Sequence, residues 1–87
     1  MDSQTAIRDG VLEIVSDVVG QPTEALLAQP LLGAHGWDSL AALEGLAQLE
    51  SRFGVSLDLR EYNAARQIDD LVALVAAANA PGWVART

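Results

Sequence analysis

Few residues in this chain could do covalent chemistry, and the serine at position 39 is the best placed of them. It stands in Gly36-Trp37-Asp38-Ser39-Leu40, where a glycine-bounded loop gives way to helical periodicity. A serine in the first turn of a helix meets unpaired backbone N–H groups and the positive end of the helix dipole. A phosphate on Ser39 would therefore sit at a favourable anion position. The other serines offer less. Ser3 is expected as a helix N-cap, Ser16 falls mid-helix, Ser51 lies near a helix C-terminus that would repel phosphate, and Ser56 sits in a short turn. His35, four residues upstream of Ser39, is close enough in sequence to meet it, with Asp38 as a carboxylate. No Gly-x-Ser-x-Gly elbow or oxyanion hole accompanies that trio, which argues against a hydrolase. On these residues alone, a plain helix-start serine is the commoner reading.

Composition narrows the classes further. The chain has 87 residues, no cysteine, no lysine, and five arginines against twelve carboxylates, for a formal charge of −7. The missing cysteines exclude a disulfide framework, a thiolate zinc site and a cysteine nucleophile, and one histidine is too few for a histidine-rich metal site. The acidic balance argues against nucleic acid and anionic membranes, and favours basic protein partners. Met1-Asp2-Ser3-Gln4 lacks the positive flank and apolar run of a signal peptide, and the apolar stretch from Leu71 to Ala78 is too short to span a bilayer. A soluble cytoplasmic monomer is expected, with residues 1–87 as one domain and frayed ends at 1–4 and 81–87. At 51% hydrophobic it has the material for a core.

The elements that must position Ser39 are helices. Ile7, Val11, Ile14, Val15 and Val18 recur at spacings of three and four, predicting an amphipathic helix from Thr5 to Val19 that Gly20 and Pro22 stop. Residues 21–37, with two prolines and Gly33 and Gly36, read as a long loop. Its Leu26, Leu27, Leu31 and Leu32 are expected to fold back over the core. A second long helix is predicted from Ser39 to Phe53, capped by Asp38 and ended by Gly54. A short turn of helix near Leu59 to Asn63 follows from the Asp58/Glu61 capping-box spacing. The last helix spans Gln67 to Ala78, with Ile68, Leu71, Val72, Val75 and Ala78 on one face. No strand is expected. The fold class is all-α, a small four-helix bundle of three main helices and one short one.

The helix that starts at Ser39 has two apolar faces. On a wheel of about 100° per residue with Ala42 at zero, Leu46, Leu49 and Phe53 fall within about 40° of it. Leu40, Leu43 and Ala47 form a second group centred roughly 130° away, flanked by Glu44 and Glu50. A thin bundle can bury one face only. An apolar strip rimmed by carboxylates is the pattern of a partner-binding surface, the alternative being cover by the long loop or by the turn around Tyr62.

The run Gly36-Trp37-Asp38-Ser39-Leu40, with Leu43, Glu44 and Leu49-Glu50-Ser51-Arg52-Phe53-Gly54-Val55, resembles an acyl carrier protein. The likeness covers nearly the whole chain, down to the Ile68-Asp69-Asp70-Leu71 start of the last helix. Asp-Ser-Leu is a weak tripeptide alone; at a helix start in an acidic domain of this length it is specific. The resemblance implies a 4′-phosphopantetheine arm on Ser39, added from coenzyme A by a phosphopantetheinyl transferase. It also implies a non-catalytic role, with acyl groups held as thioesters on a thiol that this cysteine-free chain lacks. Asp38 and Leu40 complete the motif, Asp38 as the cap. Leu40, Leu43, Glu44, Ala47 and Glu50 are the implied docking residues for acyl-loading and acyl-processing enzymes: a ligase, an acyltransferase, a ketosynthase or a condensation-type enzyme.

Four positions depart from the family pattern, among them Ser51, which stands where relatives often place an acid. Trp37 stands where carriers of fatty-acid synthesis usually have a small residue, and a Trp-Asp-Ser-Leu start looks more like discrete carriers of specialised pathways such as polyketide synthesis. Ala47 replaces a larger apolar residue. Gly45 lies inside the helix at a cost of about 1 kcal/mol relative to alanine, as a site of close packing or a loosened turn. A peptidyl or aminoacyl carrier would share the same arm chemistry. An unmodified helical interaction module is the remaining alternative. Trp37 is expected as a staple over the start of the helix, Trp83 as a terminal anchor or a loose end, and His35 as a solvent-facing loop residue or one touching arm or cargo.

Overall fold

A computed structural model describes residues 3–79. Helix α1, Ser3–Val19, is two residues longer at its start than the periodicity indicates, and Ser3 is its first residue rather than its cap. The expectations for 81–87 and for Trp83 lie outside the described residues. Ile7, Val11, Ile14 and Val15 are buried as the spacing demands, and Leu12 joins them. This helix is the hub, packing against α3 (Ser39–Phe53), α5 (Ile68–Ala78) and α2 (Thr23–Ala28). The short α4 (Leu59–Ala64) packs on α5.

The stretch read as a loop, 21–37, is where expectation and structure part. It contains α2 and a 3₁₀ turn over Leu32–His35. Six residues are too few to show helical periodicity, and Pro22 ahead of them reads as a breaker although it occupies the N-cap position. Leu26 and Leu32 are the anchors, at 0% and 1% exposure, whereas Leu27 and Leu31 face solvent. The segment is moored at both ends. Ser16 Oγ donates to the Gln21 carbonyl. Farther on, Leu32 N–H donates to Arg66 O and Ile68 N–H to Pro30 O, each at 3.0 Å, around a single bridge between Leu31 and Gln67. That bridge is the only strand-like pairing among the described residues.

Two glycines inside helices mark close approaches. A Cβ on Gly10 of α1 would lie 2.6 Å from Phe53 Cζ at the end of α3. One on Gly45 of α3 would lie 2.5 Å from Trp37 Cη2. Gly45 is thus a packing glycine, and both positions let a ring sit directly on a helix backbone. The last helix buries Ile68, Leu71, Val72 and Val75, while Ala78 at its end is exposed. Its cap is reciprocal: Gln67 and Asp70 exchange side-chain and backbone bonds.

Candidate functional site

Helix α3 starts where the sequence places it. Gly36 takes a left-handed backbone (φ 78°), and Asp38 N–H donates across Trp37 to Gly36 O at 2.8 Å as the chain turns into the helix. Asp38 is the N-cap: its Oδ1 accepts from Ala41 N–H at 2.9 Å, and its carbonyl accepts from Ala42 N–H. Ser39 is the first helical residue, and its side chain is exposed. The backbone N–H groups of Ser39 and Leu40 have no partner among the described residues and point out of the positive end of α3.

Around Ser39 the surface is concave. A depression of about 260 Å³ opens between α3 and α4, walled by Ala42, Leu43, Leu46, Leu59 and Tyr62, with Ser39 at its edge. Tyr62 forms its floor, 4% exposed, donating its hydroxyl hydrogen to Ala42 O at 2.5 Å. Burial pushes the Tyr62 phenol up to about 12 from its ordinary 10.0, so it is neutral at physiological pH.

The two apolar faces of α3 separate cleanly. Leu49 is fully buried, with Ala42, Leu46 and Phe53 half-buried around it. Leu40 and Leu43 are 75% and 63% exposed, and Ala47 and Glu44 are exposed with them. Exposed Leu59 of α4 also lines the depression that Leu43 walls, which sequence reasoning missed because a lone leucine after a cap carries no pattern. Glu50 differs from Glu44. It is half-buried, and its Oε2 accepts from Leu57 N–H at 2.8 Å, tying the turn after Gly54 to the helix.

His35 is half-buried, and its ring faces the 21–37 segment. Its Nδ1 lies 2.6 Å from Gln21 Oε1 and its Nε2 2.6 Å from the Gln29 carbonyl, so both ring nitrogens are engaged within the 21–37 segment. Neither ring nitrogen hydrogen-bonds Ser39. No group of three or more metal-ligating side chains occurs among the described residues. No helix among them is long and apolar enough to cross a membrane.

This geometry agrees with comparison to known families. The family model described as the phosphopantetheine attachment site matches residues 9–75, which takes in α2, all of α3 and α4, and most of α1 and α5. The chain belongs to that family: it is a carrier domain, non-catalytic, of the kind that bears covalent 4′-phosphopantetheine, is modified by a phosphopantetheinyl transferase and serves partner enzymes. No curated protein and no solved structure compared with the chain matches it. The residues present fit the group. An exposed hydroxyl, two unpartnered amides and adjoining concave surface are what a phosphodiester-linked chain needs at its root.

Proposed function

We propose that Ser39 is the attachment residue and that the protein is a discrete acyl carrier of a specialised, polyketide-type pathway. The observation that carries the first part is the placement of Ser39. It alone among the serines considered combines exposure, the first turn of a capped helix and a flanking depression. In the transfer, Ser39 Oγ forms a new P–O bond to coenzyme A, the pyrophosphate linkage breaks, and adenosine 3′,5′-bisphosphate leaves. The hydroxyl proton passes to the transferase. The bound group supplies a terminal thiol that holds acyl cargo as a thioester.

Support for acyl rather than aminoacyl cargo comes from the leucine-walled depression beside Ser39, which offers apolar surface and no charged side chain. The Trp-Asp-Ser-Leu start supports a specialised pathway over fatty-acid synthesis. Leu40, Leu43, Ala47 and Glu44 form the docking strip, with Glu50 adding charge at its edge while holding Leu57. Such contacts have to be short-lived, since a carrier leaves each enzyme after one step.

Co-expression with a promiscuous transferase should add one phosphopantetheinyl unit to the intact mass, and Ser39→Ala should abolish it with helical circular dichroism unchanged. Wild-type protein left unmodified by several transferases would refute the assignment. Mass spectrometry of the arm loaded in the native host then decides the cargo: an aminoacyl group would replace the acyl reading with that of a peptidyl carrier.

A further inference from the structure

Ser39 borders a second depression, which shares Ala42, Tyr62 and Asn63 with the first but continues toward Trp37 instead of the leucines. It measures about 240 Å³ and runs from Trp37 past Ser39 to Ala65 in the turn between α4 and α5, lined also by Asp38, Tyr62 and Asn63. Its tryptophan wall is fixed in place, because the indole rests on the bare backbone of Gly45. Asn63 lines both depressions, is exposed, and makes no side-chain hydrogen bond to the described residues. Asp38 uses only Oδ1 for its cap and leaves Oδ2 without a partner among those residues.

We propose that the phosphopantetheine arm folds back into this Trp37–Asn63 depression instead of standing in solvent, with the Asn63 carboxamide hydrogen-bonded to an amide of the arm. The inference rests on Ser39 as the attachment residue. The arm is a chain of methylenes and a branched dimethyl carbon interrupted by two secondary amides. Such a chain is matched by an apolar wall beside groups that both donate and accept. Trp37 is the wall, Asn63 donates and accepts, and Asp38 Oδ2 accepts. The leucine-walled depression shares Ala42, Tyr62 and Asn63 but lacks both the indole and the carboxylate. The arm then takes the polar side of Ser39 and leaves the apolar side open.

The test compares isotope-labelled apo and holo protein by NMR, after intact mass has shown one added unit that Ser39→Ala removes. The Trp37 indole is assigned with a Trp83→Phe variant. Cross-peaks between the arm's dimethyl protons and the Trp37 ring are expected, with shifts of the Asn63 side-chain NH₂ on going from apo to holo. Asn63→Ala, at an exposed position, should keep the fold and the added mass but lose those cross-peaks, leaving arm resonances like those of free pantetheine. Free-pantetheine resonances in the wild-type holo protein would overturn the proposal, as would cross-peaks to Leu46 and Leu59 in place of Trp37. Failure to gain mass at Ser39 is a separate outcome; it would overturn the attachment assignment and this inference with it.

Discussion

The indole of Trp37 occupies the space that a side chain on Gly45 would need. A Cβ there would stand 2.5 Å from Trp37 Cη2 and 3.1 Å from Tyr62 Oη, and the tyrosine is itself anchored on Ala42. Gly45→Ala therefore sets two effects against each other: about 1 kcal/mol gained in helix propensity and about 1–3 kcal/mol lost to overpacking. We expect overpacking to win, with net destabilisation in urea melts. In a Trp37→Ala background the sign should reverse, because the main clash is gone. Destabilisation of the same size in both backgrounds would show that the ring does not rest on Gly45.

Tyr62 gives a pH signature. It is the chain's single tyrosine, so its phenolate absorbance reports one site. Burial raises the folded value to about 12, above the ordinary 10.0. Stability contributed by the neutral phenol is complete below pH 10 and is lost as pH climbs from there through about 12, because the unfolded chain ionises first. Titration should follow the raised value in buffer and the ordinary one in denaturant. Tyr62→Phe should remove the dependence and, with the bond to Ala42 O gone, lower stability by about 1 kcal/mol.

Asp70 supplies the opposite sign. Its carboxylate accepts from Arg66 N–H at 2.9 Å and Gln67 N–H at 3.0 Å, and these bonds hold it below the usual carboxylate range. Their stabilisation is full above the unfolded value of about 3.9 and fades as pH falls through the folded one. Asp70→Asn should lower stability at neutral pH and flatten the acid limb of the stability curve. An unchanged acid limb would show that this cap does not set it.

Removing the cap of α3 should be felt at the site. Asp38→Ala deletes the acceptor for Ala41 N–H and should cost about 1 kcal/mol, or roughly 4–8 °C of melting temperature for a domain of this size. Asp38→Ser should retain most of that stability. Calorimetry on the three proteins checks the order.

The docking strip yields a prediction about transfer rather than folding. Leu43 is largely exposed, so Leu43→Asp should leave circular dichroism and melting nearly unchanged while slowing loading by a partner enzyme several-fold. Collapse of the fold would place Leu43 in the core and refute the docking role.

Spacing and punctuation made some of this legible in the sequence. Asp38 and Gly54 bound α3 because a cap and a left-handed glycine are local chemistry. The split of α3 into Leu49 inside and Leu40 and Leu43 outside follows from helical geometry. What needed the fold was non-local. The burial of Leu26 makes α2 worthwhile across only six residues, and Gly10 and Gly45 are explained by rings that arrive from elsewhere in the chain. Glu50 reads as a surface acid until Leu57 N–H is seen to fall on it. His35 reads as a loop histidine because its partners, Gln21 and Gln29, carry no signal until the segment folds around them.

The bonds joining Pro30 and Leu32 to Ile68 and Arg66 make the chain a closed linkage, with α3 and α4 as its rigid bars. The Ser39 end of α3 thus follows a segment that is itself tied to the start of α5. At the other end, Phe53 seated on Gly10 acts as the bearing. For an arm on Ser39 as proposed, the corner at Arg66 and the seat on Gly10 are the two points that tie the ends of α3 to the rest of the fold.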